Sequence, residues 1–217
     1  MTDGKYSHIV EKSVYKQLKV FIIYMLCFGT FTLEKEIMLN IFGKRKIKAD
    51  KLANILVNYI MEVTEKGYDG VEALIETSPE FVIKPETNPE GTKNFLLVVF
   101  VGNLSFVSRY FDQNVEDAIK EQCFTVLAQT FDTNSETLKS LYKEYKSFMV
   151  KVNHPSKNML YAMSKGLFHK LELNEFQEDF FKSQNVPNPT FIKKLDEIMA
   201  QTIFHWDEFL SKHKVTL

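Results

Sequence analysis

The stretch that most constrains this chain is Phe95 to Phe111, FLLVVFVGNLSFVSRYF. Apolar residues fall on every side of it, and no polar face survives at a helical or a strand period. Such a segment must be covered all round by the rest of the protein, and it predicts a central buried helix over 95–111. Asn103, Ser105, Ser108 and Arg109 interrupt the run. Gly102, Ser105 and Ser108 recur at three residues and form a narrow strip, which admits a close neighbouring helix or leaves a slot for a ligand.

The flanking segments read as amphipathic helices. Val14, Leu18, Phe21, Ile22, Met25 and Phe28 give a helix over 7–28, and Ile37, Met38, Ile41 and Phe42 give one over 32–43. Asp50 heads a third helix, which Gly67 is expected to end, with a short helix over 70–77 after it. Pro79, Pro85, Pro89 and Gly91 then break the pattern, because proline removes donors and turns its predecessor out of helical geometry. Beyond that break, Asn114 and Thr133 are the expected caps of two helices, and Pro155 the first residue of a third. Asn174 and Gln177 have capping-box spacing. The last helix is expected to run from Asn188 to Leu210 without a break. The expected fold is all-α, a multi-helix globular bundle of about nine or ten helices around the helix at 95–111. Its organisation is an N-terminal helical half, 1–78, a proline-rich connecting loop, 79–93, and a C-terminal helical half, 94–217, in one compact domain.

Ile37, Ile41, Phe42, Ile47, Leu52, Leu56 and Ile60 align without a gap on apolar residues 139 positions further on: Phe176, Phe180, Phe181, Val186, Phe191, Leu195 and Met199. A repeated helical hairpin is one reading. The other is that hairpins with turns of similar length share such spacing anyway. The helix, short turn, helix pattern loosely resembles that of TerB-like helical domains, although this chain lacks the acidic Asp-Gly that heads the second helix there.

A net charge of −1 sets up no overall basic field for nucleic acid. Cys27 and Cys123 each sit in an apolar pattern and have no zinc spacing, as expected of thiols in a reducing compartment. The apolar run VFIIYMLCFGTF at 20–31 is short for a membrane span and lacks a cleavage site. A cytoplasmic, soluble protein is the expectation.

Catalytic and cofactor motifs are missing: there is no glycine-rich phosphate loop, nucleophile elbow or zinc-protease helix. No catalytic residue and no cofactor is therefore assigned. Asp112-x-Asn114-x-Glu116 and Asp132-x-Asn134-x-Glu136 imitate the start of a calcium loop. They lack its glycine and final acid, and read as helix caps. For a metal, spacing offers His169 with Glu172 and His205 with Glu208, each pair three apart and so on one face of a helix; a histidine at the margin of an apolar stripe also simply hydrogen-bonds nearby. Lys44, Arg45, Lys46 and Lys48 form a basic turn, read as a solvated loop rather than a phosphate contact. Phe176, Phe180, Phe181, Phe191 and Trp206 make a dense aromatic patch. The leading expectation is a non-catalytic helical interaction protein, offering an aromatic-rich groove or surface to a protein partner or to itself. One alternative is a small-molecule- or metal-binding helical protein that uses the His169 and His205 helices, with a small apolar ligand among the options. The other is a peripheral membrane-associated protein.

Overall fold

The computed structural model describes residues 44–86 and 88–217. The helices expected over 7–28 and 32–43, and Cys27, lie outside the described residues. Within those residues the elements are β1 (Arg45–Lys48), α1 (Ala49–Thr77), α2 (Gly91–Val107), α3 (Gln113–Thr130), α4 (Ser135–Asn153), α5 (Met159–Lys170), a 3-10 helix (Leu173–Phe176), α6 (Asp179–Gln184), α7 (Pro189–Gln201), α8 (Trp206–Lys212) and β2 (His213–Thr216). The chain is mostly helical, as its apolar spacing predicts.

The apolar run becomes α2, which packs against α1, α4 and α5. Every residue from Lys93 to Leu104 is buried. Each large side chain removed from water there contributes roughly 1.5–3 kcal/mol. The helix starts at Gly91 rather than Phe95 and stops at Val107 rather than Phe111, so it takes the last residues of the expected 79–93 loop. Its first turn is possible because the polar side chains are matched: Lys93 Nζ meets Glu90 at 3.0 Å, and the Tyr145 hydroxyl donates to Asn94 Oδ1 at 2.6 Å. It ends where the amides of Arg109 and Tyr110 turn back onto the carbonyls of Phe106 and Val107. Tyr110 and Phe111 then pack on Trp206.

Two of the glycines at close approaches bear on these expectations. Gly67 does not end a helix. α1 runs straight through it, and a Cβ there would stand 3.1 Å from Phe95 Cζ. At Gly102 a Cβ would overlap the thioether of Met163, so Gly102 alone of the small-residue strip marks where α5 meets α2; Ser108 is exposed.

Other boundaries move for local reasons. Asp112 caps α3 by accepting from the Val115 amide, and Asn134 caps α4 by accepting from Thr137. Pro155 follows a cis peptide in the turn before α5, and Asn158 is the cap that opens that helix. The Asn188 cap and Pro189 start stand as read.

The expected last helix is cut in two. Asn103 reaches out of α2 and grips the cut: its Nδ2 donates to the Thr202 carbonyl at 2.9 Å, and its Oδ1 accepts from the Phe204 amide at 2.8 Å. The chain bends, and Trp206 turns into the core against Phe204.

Two strands also appear, one where a basic turn was expected and one beyond the end of the expected last helix. β1 and β2 form a parallel pair, Arg45 beside His213 through Lys48 beside Thr216. Ile47 is its buried residue. One buried cluster spans both sides of the proline-rich loop and draws on α1 to α5, α7 and Trp206. Leu52, Leu56 and Ile60 at the head of α1, and their partners Phe191, Leu195 and Met199 on α7, all lie in it. What precedes them differs, a strand in one case and a loop in the other. Positions 37–42 of the alignment lie outside the described residues.

Candidate interaction surface

The segment from Glu172 to Asn188 is built from short pieces, and its backbone cannot satisfy itself as a long helix does. Glu172 at φ 58° and Asn185 at φ 51° are both left-handed, the first opening the 3-10 helix and the second closing α6. Between them, the buried Gln177 carries the polar burden. Its Nε2 donates to Asn174 Oδ1 at 3.2 Å and to the Val186 carbonyl at 3.0 Å. Its Oε1 accepts from the Asn188 amide at 2.6 Å. The expected capping box is thus an amide clamp that ties the 3-10 helix to the start of α7.

The proline-rich loop docks on the same place. Phe81 bridges to Gln177 in antiparallel fashion, and the Val82 amide donates to the Phe176 carbonyl at 2.9 Å. Phe81 inserts edge-on against Phe191 at 4.8 Å. Lys194 Nζ holds Glu80 at 2.9 Å from α7. The Phe81 ring pins the loop, but the side chains of Val82 and Ile83 do not, each residue being 63% exposed.

The result is an apolar surface. Phe180 is 65% exposed and Val186 41%, and both lie on the segment that holds the Val82–Ile83 tip. Of the seven large hydrophobics exposed among the described residues, these are four. Glu175, Glu178 and Asp179 stand exposed around them, and Lys182 pairs with Glu175 at 2.8 Å. Lys84, next to Ile83, faces Glu76 at 4.0 Å, and among the described residues no ion pair engages Glu178 or Asp179, so the rim is acidic at those two.

The expected aromatic patch divides. Phe191 and Trp206 are core, Phe176 and Phe181 are half-buried, and Phe180 projects into water.

A polar cleft of about 570 Å³ lies alongside, lined by Glu90, Lys93, Asn94, Tyr145, Lys170, Glu172 and Phe176 among others. Its cations are matched within the chain, Lys93 by Glu90 and Lys170 by Glu144 at 3.5 Å, with Lys170 also over the Tyr145 ring at 4.2 Å. A smaller cleft of about 260 Å³ holds Tyr68 and Glu72. Burial, then Glu72, pushes the Tyr68 phenol up to about 12. Burial, then Asp69 and Glu76, raises the Glu72 carboxyl.

The spacing that paired His169 with Glu172 is lost, because α5 ends at Lys170 and Glu172 sits beyond it in a left-handed turn. His169 is half-buried with its ring against Phe168 at 5.2 Å; burial, then Lys165, holds its pKa below the ordinary histidine range. His205 is the exposed residue that precedes α8, and Glu208 in the first turn pairs with Lys212 at 2.8 Å. These two line a shallow cleft with Tyr110 and Trp206. Among the described residues, no group of three or more His, Cys, Asp or Glu side chains is placed to hold a metal ion. The Cys123 thiol is buried on α3, and desolvation pushes it up to about 12. No helix among the described residues is long and apolar enough to cross a membrane.

Sequence reasoning found Phe180 but not Val82, Ile83 or Val186 as its neighbours. The available signal was their position in loops, where an apolar side chain has no helical stripe to join. No family model, no curated protein and no solved structure matches this chain.

Proposed function

We propose that this chain is a non-catalytic helical interaction protein whose acid-rimmed apolar surface, Val82, Ile83, Phe180 and Val186, receives a protein partner. The observation that carries this is the concentration of exposed apolar side chains on two adjoining loops, with Phe180 the most exposed of them. Contiguous apolar patches rimmed by polar residues mark interaction sites. An aromatic anchor at such a site dominates binding more than its share of area. Glu175, Glu178 and Asp179 favour a partner segment that carries lysine or arginine beside its apolar residues. The same reading takes the chain as a bundle of about nine or ten helices in one compact domain. Its free, buried Cys123 suits a cytoplasmic location.

Selection of displayed random peptides on the full chain tests the reading. Enriched peptides should combine apolar and basic residues, and should bind Phe180→Asp at least about tenfold more weakly. Melting of the variant should be unchanged, because residue 180 is exposed. Failure to enrich any such peptide, or equal binding by the variant, refutes the surface. A concentration-dependent dimer in sedimentation that Phe180→Asp dissolves would make the occupant a second copy of the chain.

A further inference from the structure

The basic segment read as a solvated turn is one strand of a ribbon, and the ribbon gathers cations from both ends of the described chain. Lys46 stands directly beside Lys214, and Lys48 beside Thr216. Side chains alternate along a strand, so Ile47, which is buried, and Val215 point to the body of the protein. Lys46, Lys48 and Lys214 therefore share the opposite, outward face, and all three are exposed. Lys44 precedes the strand with the same parity and is exposed too. Among the described residues, no ion pair engages Lys44, Lys46, Lys48 or Lys214.

Like charges directly opposite on neighbouring strands oppose pairing. The ribbon nevertheless sets Lys46 against Lys214 in a chain whose net charge is −1, where carboxylates are plentiful. An anion laid across the face removes that repulsion. We infer that the lysine face of the β1–β2 ribbon binds the phosphate backbone of nucleic acid, without reading its sequence.

Charge complementarity and the alternation of the strands select this occupant. Binding to nucleic acid through counterion release needs only cations. Lys46 and Lys48 stand about 6.6 Å apart along the strand, two rises of about 3.3 Å, and Lys214 widens the row sideways. Adhesion to a membrane needs a second, apolar signal beside the charge, and the ribbon turns Ile47 and Val215 away from its lysine face. Among the described residues of the ribbon, no aromatic or amide side chain stands on that face to read bases, so contact is with phosphate.

The test is fluorescence anisotropy of a labelled 20-base-pair DNA duplex of arbitrary sequence with the full chain. Binding in the range of about 1–100 µM at physiological salt is expected. Four lysines on phosphate should give a slope of log Kd against log salt of about 3 to 4. Lys46→Glu and Lys214→Glu should each weaken binding several-fold, and the double variant at least about tenfold, and none of the three should melt lower than the native chain. Lys66→Glu, on α1 and paired with Glu62, makes the same charge change away from the ribbon and should leave affinity within about twofold. Four results would overturn the inference: no binding at 50 mM salt, full binding by the double variant, equal weakening by Lys66→Glu, or binding to phosphatidylserine vesicles without binding to the duplex.

Discussion

The central helix and the 173–186 segment are both rich in large apolar residues, yet one is buried throughout Lys93–Leu104 and the other carries the most exposed phenylalanine of the described chain. The difference lies in the backbone. α2 satisfies its own amides over four turns, so it can be covered on all sides, and the amide side chains of Asn94 and Asn103 find their partners on other elements. The 3-10 helix and α6 are too short for that. They borrow the side-chain amide of Gln177, the first opens and the second closes on a left-handed residue, and they stay at the surface. Aromatic density is therefore no guide to burial by itself; a segment is buried when its backbone can afford to be.

The sharpest way to break this comparison is to truncate two phenylalanines of the same expected patch. Phe191→Ala should cost about 3–5 kcal/mol in chemical denaturation, and Phe180→Ala less than about 0.5 kcal/mol. Equal losses would mean that Phe180 is covered. Next comes the amide inside α2. Asn103→Leu strips partners from the Thr202 carbonyl and the Phe204 amide and should cost about 2–4 kcal/mol. A neutral result would show that the bend between α7 and α8 does not depend on α2. Gln177→Ala should act more locally, by about 1–3 kcal/mol. Amide exchange should quicken over 176–188 while α2 keeps its protection; a uniform loss would merge the two regions into one cooperative unit.

The smallest effect concerns the edge of the core. His169 is held below its ordinary range by burial and then by Lys165. The unfolded chain takes up this proton near pH 6.5, whereas the folded chain stays neutral to lower pH. Its contribution is therefore full above about pH 6.5 and is lost as pH falls from there to the folded pKa. Stability measured against pH should show this fall in the native sequence and lose that component in His169→Gln. Identical profiles would place the ring in a water-like setting.

What could be read in advance follows the reach of each interaction. The burial of α2 and the Asn188–Pro189 start of α7 depend on neighbours within a turn or two, and both were legible. The cut at Thr202 was not, because it answers to Asn103, 99 positions away. Gly67 misled because glycine marks a helix end and a close approach equally well, and only the Phe95 ring decides between them. The strands escaped because each is four residues long and finds its partner at the other end of the described chain. In the apolar surface, Phe180 was visible as an aromatic. Its exposure was not, since that follows from the way Gln177 and the Val82–Phe176 hydrogen bond fold two loops together.

The β1–β2 ribbon also dates the folding of the chain. The Thr216 hydroxyl and the Ile47 carbonyl, 3.5 Å apart, are separated by 169 positions. Bringing such ends together in an unstructured chain costs about 4–5 kcal/mol before any constant is added. Two short strands alone are marginal at best. The ribbon can therefore close only after the helices have brought residues 45 and 213 to the same side. Its amides should be the last in the described chain to gain protection during refolding, and a clock for the moment at which the rest is in place.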